Sequence, residues 1–345
     1  MSKKILIIGG AGFIGINAVD YFLRKNFQVL ILDNLSRKGT DYNLKWLKGR
    51  WGKKVKFIKA DIVKDRTKLN QAVRKVDFII HLAAQVAVTT SVKNPYEDFF
   101  INALGTLHVL EAIRLSPNKP MLIYSSTNKV YGEIANEPII LTKNGYRYKN
   151  IPKGISEDCQ HNFHSPYGCS KGSADQYVRD YSRVYGLKTV VFRQSCIYGP
   201  HQFGVEDQGW IAWFTIAMTI DKPIIIYGDG NQSRDLLYVD DLCELYDLAI
   251  KKISRANGQI YNIGGGSKNI LSVLSVLSLL NKKLNKKIKI SFSNWRPGDQ
   301  KIYVSDIQKV YKDLGWKPQT TFNKGLERLI SWAKSEEKTL RKFNK

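Results

Sequence analysis

The chain opens with two alternating kinds of pattern. Residues 4–8, Lys-Ile-Leu-Ile-Ile, form a short apolar run that stops abruptly at Gly9-Gly10-Ala11-Gly12-Phe13-Ile14-Gly15. The pattern then becomes helix-like to about Lys25, and a second apolar run, Gln28 to Leu32, ends at Asp33. Short unbroken apolar runs bounded by turn residues fit strands buried on both faces. The alternation continues, predicting strands at Val55–Ala60, Phe78–Leu82, Met121–Ser125 and Thr189–Phe192. It also predicts a helix from Pro95 to about Leu115 and another opening at Ser165-Pro166, where Ser can cap free amides and Pro needs no amide partner. Repeated strand–helix units of this length specify an α/β fold: a Rossmann-type doubly wound parallel sheet, with ligands beyond the carboxyl ends of its strands.

After Phe192 the regular alternation stops. An aromatic-rich segment, Gly209 to Phe214, precedes a strand at Ile224–Tyr227 and a turn at Gly228-Asp229-Gly230-Asn231. The pattern divides the chain into a dinucleotide-binding domain over residues 1–193 and a smaller α/β substrate-binding domain over 194–345. Part of 235–265 is expected to return to the first domain. The stretch from Glu133 to His164, with Pro138, Pro152 and Gly154, reads as an ordered loop roofing the site.

Composition narrows the class. At 345 residues and 43% hydrophobic content the chain can build a large core, so disorder is not expected. Cys159, Cys169, Cys196 and Cys243 have no metal-ligand spacing and are too few for a disulfide scaffold, so they predict reduced thiols, no metal and a cytoplasmic location. No apolar stretch is long enough to span a membrane, and the apolar run near the start is cut by glycines. The net charge of +24 raises the question of a nucleic-acid partner. The lysines are scattered along the whole chain rather than gathered in one arm, which favours a solvated surface, no nucleic-acid partner and a field that suits an anionic small substrate.

The candidate chemistry lies at the strand ends. Glycines 9, 12 and 15 permit a tight turn, close approach of backbone to a pyrophosphate, and close helix packing, while the following helix offers its first amides to the anion. Asp33 ends the second strand, eighteen residues after Gly15, where a carboxylate can bind the adenosine ribose. An acid there favours NAD over NADP, with Arg37 and Lys38 leaving some room for a 2′-phosphate. Asp61 and Ile62 follow the third strand at the expected adenine edge. Leu82, Ala83 and Ala84 after the fourth would let the chain pass close to the cofactor. Thr127 follows the fifth. Tyr167 and Lys171, four residues apart, share one helix face in the first two turns. An ammonium and a positive helix end both favour phenolate, which makes Tyr167 a candidate acid/base. Taken alone, such a pair is more often a packing tyrosine beside a solvated lysine. Trp210 and Trp213 can flank a flat ligand, and Arg234 and Arg296, on two turns, suit bidentate phosphate recognition.

Several of these segments recur together. The glycine turn, Asp33, Asp61, the Ser-Ser-Thr-Asn-Lys-Val-Tyr-Gly run at 125–132, Tyr167 with Lys171, and Arg193 with Tyr198-Gly199-Pro200 form one part of the set. Arg234-Asp235 with Val239-Asp240-Asp241, and Arg296-Pro297-Gly298-Asp299, complete it. The set resembles the extended short-chain dehydrogenase/reductase family that acts on nucleotide sugars, over nearly the whole chain. The longer strings at 33–39, 125–132, 163–172 and 207–210 resemble, within it, the branch that epimerises CDP-sugars at carbon 2.

The resemblance implies tightly bound NAD, a nucleotide-sugar substrate with a CDP-sugar favoured, and a catalytic set of Thr127, Tyr167 and Lys171. It adds Phe13, Ile14, Asn34, Ser36, Arg37, Asn102, Tyr167 and Lys171 to the cofactor contacts, Lys171 through the nicotinamide ribose. It implies substrate contacts from Thr127, Asn128, Lys129, His164, Gln194, Cys196, Gln208, Trp210, Arg234 and Arg296. It also implies a homo-oligomer, a dimer or tetramer, with the helices after the fourth and fifth strands as the dimer face. Two departures bear on the reaction. Cys196 stands where many carbon-4 enzymes of the family have Asn, and Asn128-Lys129 stands where the related dehydratases carry acids. Dehydration is thereby disfavoured. A UDP-glucose-type 4-epimerase remains the nearest alternative, and a non-catalytic NAD-sensing or nucleic-acid-binding protein on the same fold is a rival from another class.

Overall fold

The computed structural model describes residues 2–134, 137–296 and 298–344. Seven strands form the central sheet: β1 Lys4–Ile8, β2 Gln28–Asp33, β3 Lys56–Lys59, β4 Phe78–His81, β5 Met121–Thr127, β6 Thr189–Gln194 and β7 Gln259–Ile263. Their order is β7-β6-β5-β4-β1-β2-β3, and every pairing is parallel. The order reverses between β1 and β4, which opens a crevice beyond the carboxyl ends of the strands. Helices cover both faces. Ile5 and Ile7 point into one core with Phe22, Ile31, Phe192 and Tyr261. Leu6 and Ile8 point into the other with Ile79, Leu122, Tyr124 and Val191. Because neighbouring strand residues face opposite sides and both sides are buried, the strands read as unbroken apolar runs.

A second unit follows β6. Its core joins the helices Trp210–Thr219, Val273–Leu284 and Phe322–Ser335 to the parallel strands Ile224–Tyr227 and Ile290–Ser293. The chain re-enters the first unit between these elements. Leu242, Leu245, Tyr246 and Ala249 of the Val239–Lys251 helix lie in the β1 core, and β7 then adds beside β6. Arg234 and Asp235 sit on the strand Ser233–Tyr238, whose end pairs with Cys196–Tyr198, so the two units are joined directly beside the site.

Three features differ from the sequence expectation. The 133–164 stretch contains an antiparallel hairpin, Ile139–Thr142 with Gly145–Tyr148, besides loop. Strands β5 and β6 extend two residues further, placing Thr127 and Gln194 in register at the sheet edge. The single helix expected from Pro95 to Leu115 is Pro95–Phe99, a wide π turn at Phe100–Leu104 and Gly105–Arg114. Apolar spacing continues across this turn, which hid it. Among the described residues no helix is long and apolar enough to cross a membrane.

Candidate active site

The crevice is one continuous cleft. Its cofactor end is walled by Gly9, Gly12, Phe13, Ile14, Gly15, Asp33, Asn34, Ser36, Arg37, Asp61 and Ile62, with Leu82, Ala83 and Ala84 along one side. Gly9 turns at φ +82°, a left-handed conformation that favours glycine, and Gly15 packs so closely that a Cβ would strike the Gly9 carbonyl oxygen. A Cβ on Gly12 would meet only that same oxygen and would otherwise occupy the cleft. The helix Phe13–Arg24 begins here with no side-chain cap, leaving its first amides for an anion. A dinucleotide fits this donor set: turn amides for the pyrophosphate and carboxylates for the adenosine end. Asp33 accepts from Ala11 N at 3.0 Å and Leu35 N at 2.8 Å, and Asp61 accepts from Asn34 Nδ2 at 2.9 Å.

Thr127, Tyr167 and Lys171 converge farther along the cleft. The helix carrying the last two is Ser165–Tyr185. Ser165 lies at φ +67°, and its Oγ accepts the Gly168 N–H at 3.3 Å, so the hydroxyl caps the first turn as its position suggested. Lys171 donates to Ser125 O at 2.6 Å and lies 4.2 Å over the Tyr124 ring. Burial draws its pKa down to about 7 against the pull of Asp175 and Asp98. The Tyr167 phenol is lifted by burial, opposed by the Thr127 hydroxyl, raised further by Asp98 and lowered by Arg37. This corrects one expectation. The phenol stands above its ordinary value instead of being favoured as phenolate, because burial outweighs Thr127, the largest of the opposing influences, while Lys171 is directed toward the β5 carbonyl.

Asn102 lies behind the cleft rather than in its wall. Its Oδ1 accepts from Gln85 N at 2.9 Å and its Nδ2 donates to Gln85 O at 3.0 Å, pinning the chain just after Ala84. The same Nδ2 donates to Asp98 and Ser170 at 3.1 Å, and Ser170 Oγ donates to Asp98. Asn102 lies within the π turn and is buried there.

On the substrate side Asn128, Gln194, Cys196, Gln208 and Trp210 wall the same cleft. Gln194 Nε2 is held by Tyr246 OH at 2.9 Å, and burial pushes the Cys196 thiol up to about 12. Lys129, His164, Arg234 and Arg296 lie outside the wall. Lys129 donates to Gly298 O at 3.2 Å, and burial, then Arg234, draws it down to about 8. Arg234 pairs with Asp299 at 3.2 Å. Arg296 pairs with Asp207 at 3.1 Å and stacks 3.7 Å over Tyr227. Pro297 lies outside the described residues. His164 is exposed just before the helix, and Trp213 packs against the second core instead of facing Trp210 across the cleft.

Sequence reasoning missed two sets of residues. His201, Gln202 and Phe203 close the cleft, with Phe203 against Gly39; they follow the Tyr198-Gly199-Pro200 string directly, which was the available signal. The second set is a buried clamp. Asp175 accepts from Ser126 Oγ at 2.6 Å and receives two bonds from Arg193, each 2.9 Å. Arg193 also donates to Tyr131 OH at 2.9 Å, which donates to Asn262 at 2.7 Å. The clamp ties the Tyr167/Lys171 helix to the residue beside Thr127. No spacing rule connects these positions in the sequence.

A family model described as GDP-mannose 4,6-dehydratase matches residues 6–329. The chain is 41% identical to a CDP-paratose 2-epimerase from Salmonella typhi over 96% of its own length and 99% of the relative's. Among solved structures it is similar to a UDP-glucuronic acid 4-epimerase from Bacillus cereus in complex with UDP-glucuronic acid and NAD, with TM-score 0.82, 29% identity and coverage of 96% and 99%. It is also similar to a dTDP-glucose 4,6-dehydratase from Streptomyces venezuelae with NAD bound, with TM-score 0.85, 27% identity and coverage of 99% of each chain.

Proposed function

This chain belongs to the GDP-mannose 4,6-dehydratase family, and from that premise we propose that it is an NAD-dependent epimerase interconverting CDP-paratose and CDP-tyvelose at carbon 2. The observation that carries the reading is Thr127, Tyr167 and Lys171 in one cleft, with Asn128 and Lys129 directly after Thr127 where a dehydratase needs acids.

Bound NAD supplies a reversible hydride acceptor. Thr127 orients the carbon-2 hydroxyl toward Tyr167. Tyr167, deprotonated against the lift of burial, would take the proton of the carbon-2 hydroxyl, and would give it back once the keto sugar has turned over and the hydride has been returned to its other face. Lys171, drawn down by burial, sits where it can exchange a proton with its surroundings near neutral pH. Arg234 and Arg296 hold the diphosphate while the sugar moves, exchanging their present carboxylate partners for phosphate oxygens. Asp33 and Asp61 hold the adenosine end of the cofactor, and Asn102 keeps the Leu82–Ala84 wall in place. The test is incubation with a panel of nucleotide sugars, read by NMR of the sugar ring. CDP-paratose should equilibrate with CDP-tyvelose, and carbon-4 inversion of UDP-glucose as the main reaction would displace the reading.

The active form is a homodimer or a tetramer built from it. Tyr96, Phe99 and Phe100, before and within the π turn, are 77%, 53% and 44% exposed, and Tyr177, Val184 and Tyr185 are exposed on the Tyr167/Lys171 helix. Large apolar side chains gathered on packed neighbouring helices favour burial against a second copy. The four cysteines are free, which suits a reducing cytoplasm.

A further inference from the structure

Away from the catalytic cleft the chain folds around a second recess of about 510 Å³, which shares no wall residue with the cleft. Its walls come from the 157–161 loop, the outer turns of the Tyr167/Lys171 helix at Arg179 and Arg183, the start of β7, and Lys309. Arg193 reaches it from the sheet side, already committed to Asp175.

Charge is unbalanced there. Arg179 and Arg183 stand four residues apart on one helix, where like charges repel. Asp175, the acid one turn before Arg179 and its natural helical partner, is taken by Arg193. Among the described residues neither Arg179 nor Arg183 forms an ion pair. Burial, then Arg183 and Arg193, draws the Arg179 guanidinium down against the pull of Asp175, and burial and Arg193, with a smaller part from Arg179, draw His161 down against the same acid. The recess acids do not cancel this field. Glu157 accepts the Asn262 N–H at 2.6 Å and faces Lys309, and Asp158 is exposed.

We propose that this recess is a second anion site that takes a phosphate-bearing small molecule, separate from the nucleotide-sugar cleft. A carboxylate has two oxygens and is satisfied by one guanidinium fork. A terminal phosphate has three oxygens and can engage both guanidiniums together.

The test is calorimetric titration of inorganic pyrophosphate into NAD-loaded Arg234→Gln protein, which weakens the competing diphosphate grip in the cleft. One site should remain. Adding Arg179→Gln and Arg183→Gln should weaken it at least about tenfold. The single Arg183→Glu change, at an exposed position, should weaken it as well and guards against a folding failure of the multiple variant. No saturable pyrophosphate binding to the Arg234→Gln protein, or binding unchanged by both sets of substitutions, would overturn the proposal.

Discussion

At the scale of single residues, the site trades stability for chemistry. Lys171 is fully buried with an ordinary ammonium pKa in the unfolded chain and about 7 in the folded one. The fold therefore disfavours its protonation. The cost is full below about pH 7 and is relieved as pH rises toward the unfolded value, because the unfolded state binds the extra proton across that window. Lys171→Met should raise the Tm of cofactor-free protein by at least about 2 °C at pH 6.5, with a smaller gain at pH 9, read by thermal unfolding. Tyr167→Phe should lower kcat by about 10²–10⁴ while leaving NAD binding intact, measured by turnover and by cofactor retention. Both residues were legible from their spacing and from the glycine turn far upstream. The direction in which the lysine ammonium points was not, because it depends on the β5 carbonyl at Ser125, which no side-chain pattern encodes.

At the scale of elements, the Ser165–Tyr185 helix is set against β5 and β6 by one ion pair, Asp175–Arg193, with both side chains almost wholly buried. Removing one partner leaves an uncompensated buried charge. Asp175→Asn should destabilise by about 3–5 kcal/mol, whereas Asp175→Leu with Arg193→Met should recover much of that, measured by denaturant unfolding. The recovered double variant should still show reduced kcat, because Ser126 loses its tie to the helix and Thr127 its register with Tyr167. The parallel strands could be read as unbroken apolar runs because both faces are buried. The broken 95–115 helix could not, since the π turn preserves apolar spacing, and the 139–148 hairpin lay hidden in a stretch whose prolines and glycines signalled only loop.

At the scale of the whole molecule, the family strings conveyed most of the architecture. The return of Val239–Lys251 and β7 to the first unit, expected for part of 235–265, is made by contacts far apart in sequence. The scattered positive charge is partly neutralised locally, as where Lys283 meets Glu327 and Lys286 meets Asp221, each at 2.7 Å. The exposed aromatics on the two neighbouring helices predict an assembly: Tyr96→Glu with Phe99→Glu should shift the protein to monomer in sedimentation velocity, with the fold intact by circular dichroism. The central claim is transient oxidation at carbon 2 with return of the same hydride, and isotope fate tests it most directly. CDP-paratose carrying deuterium at carbon 2, converted in ordinary water, should yield CDP-tyvelose that retains the deuterium at carbon 2 with no wash-out. Loss of the label to solvent, or inversion at another carbon with carbon 2 untouched, would contradict it.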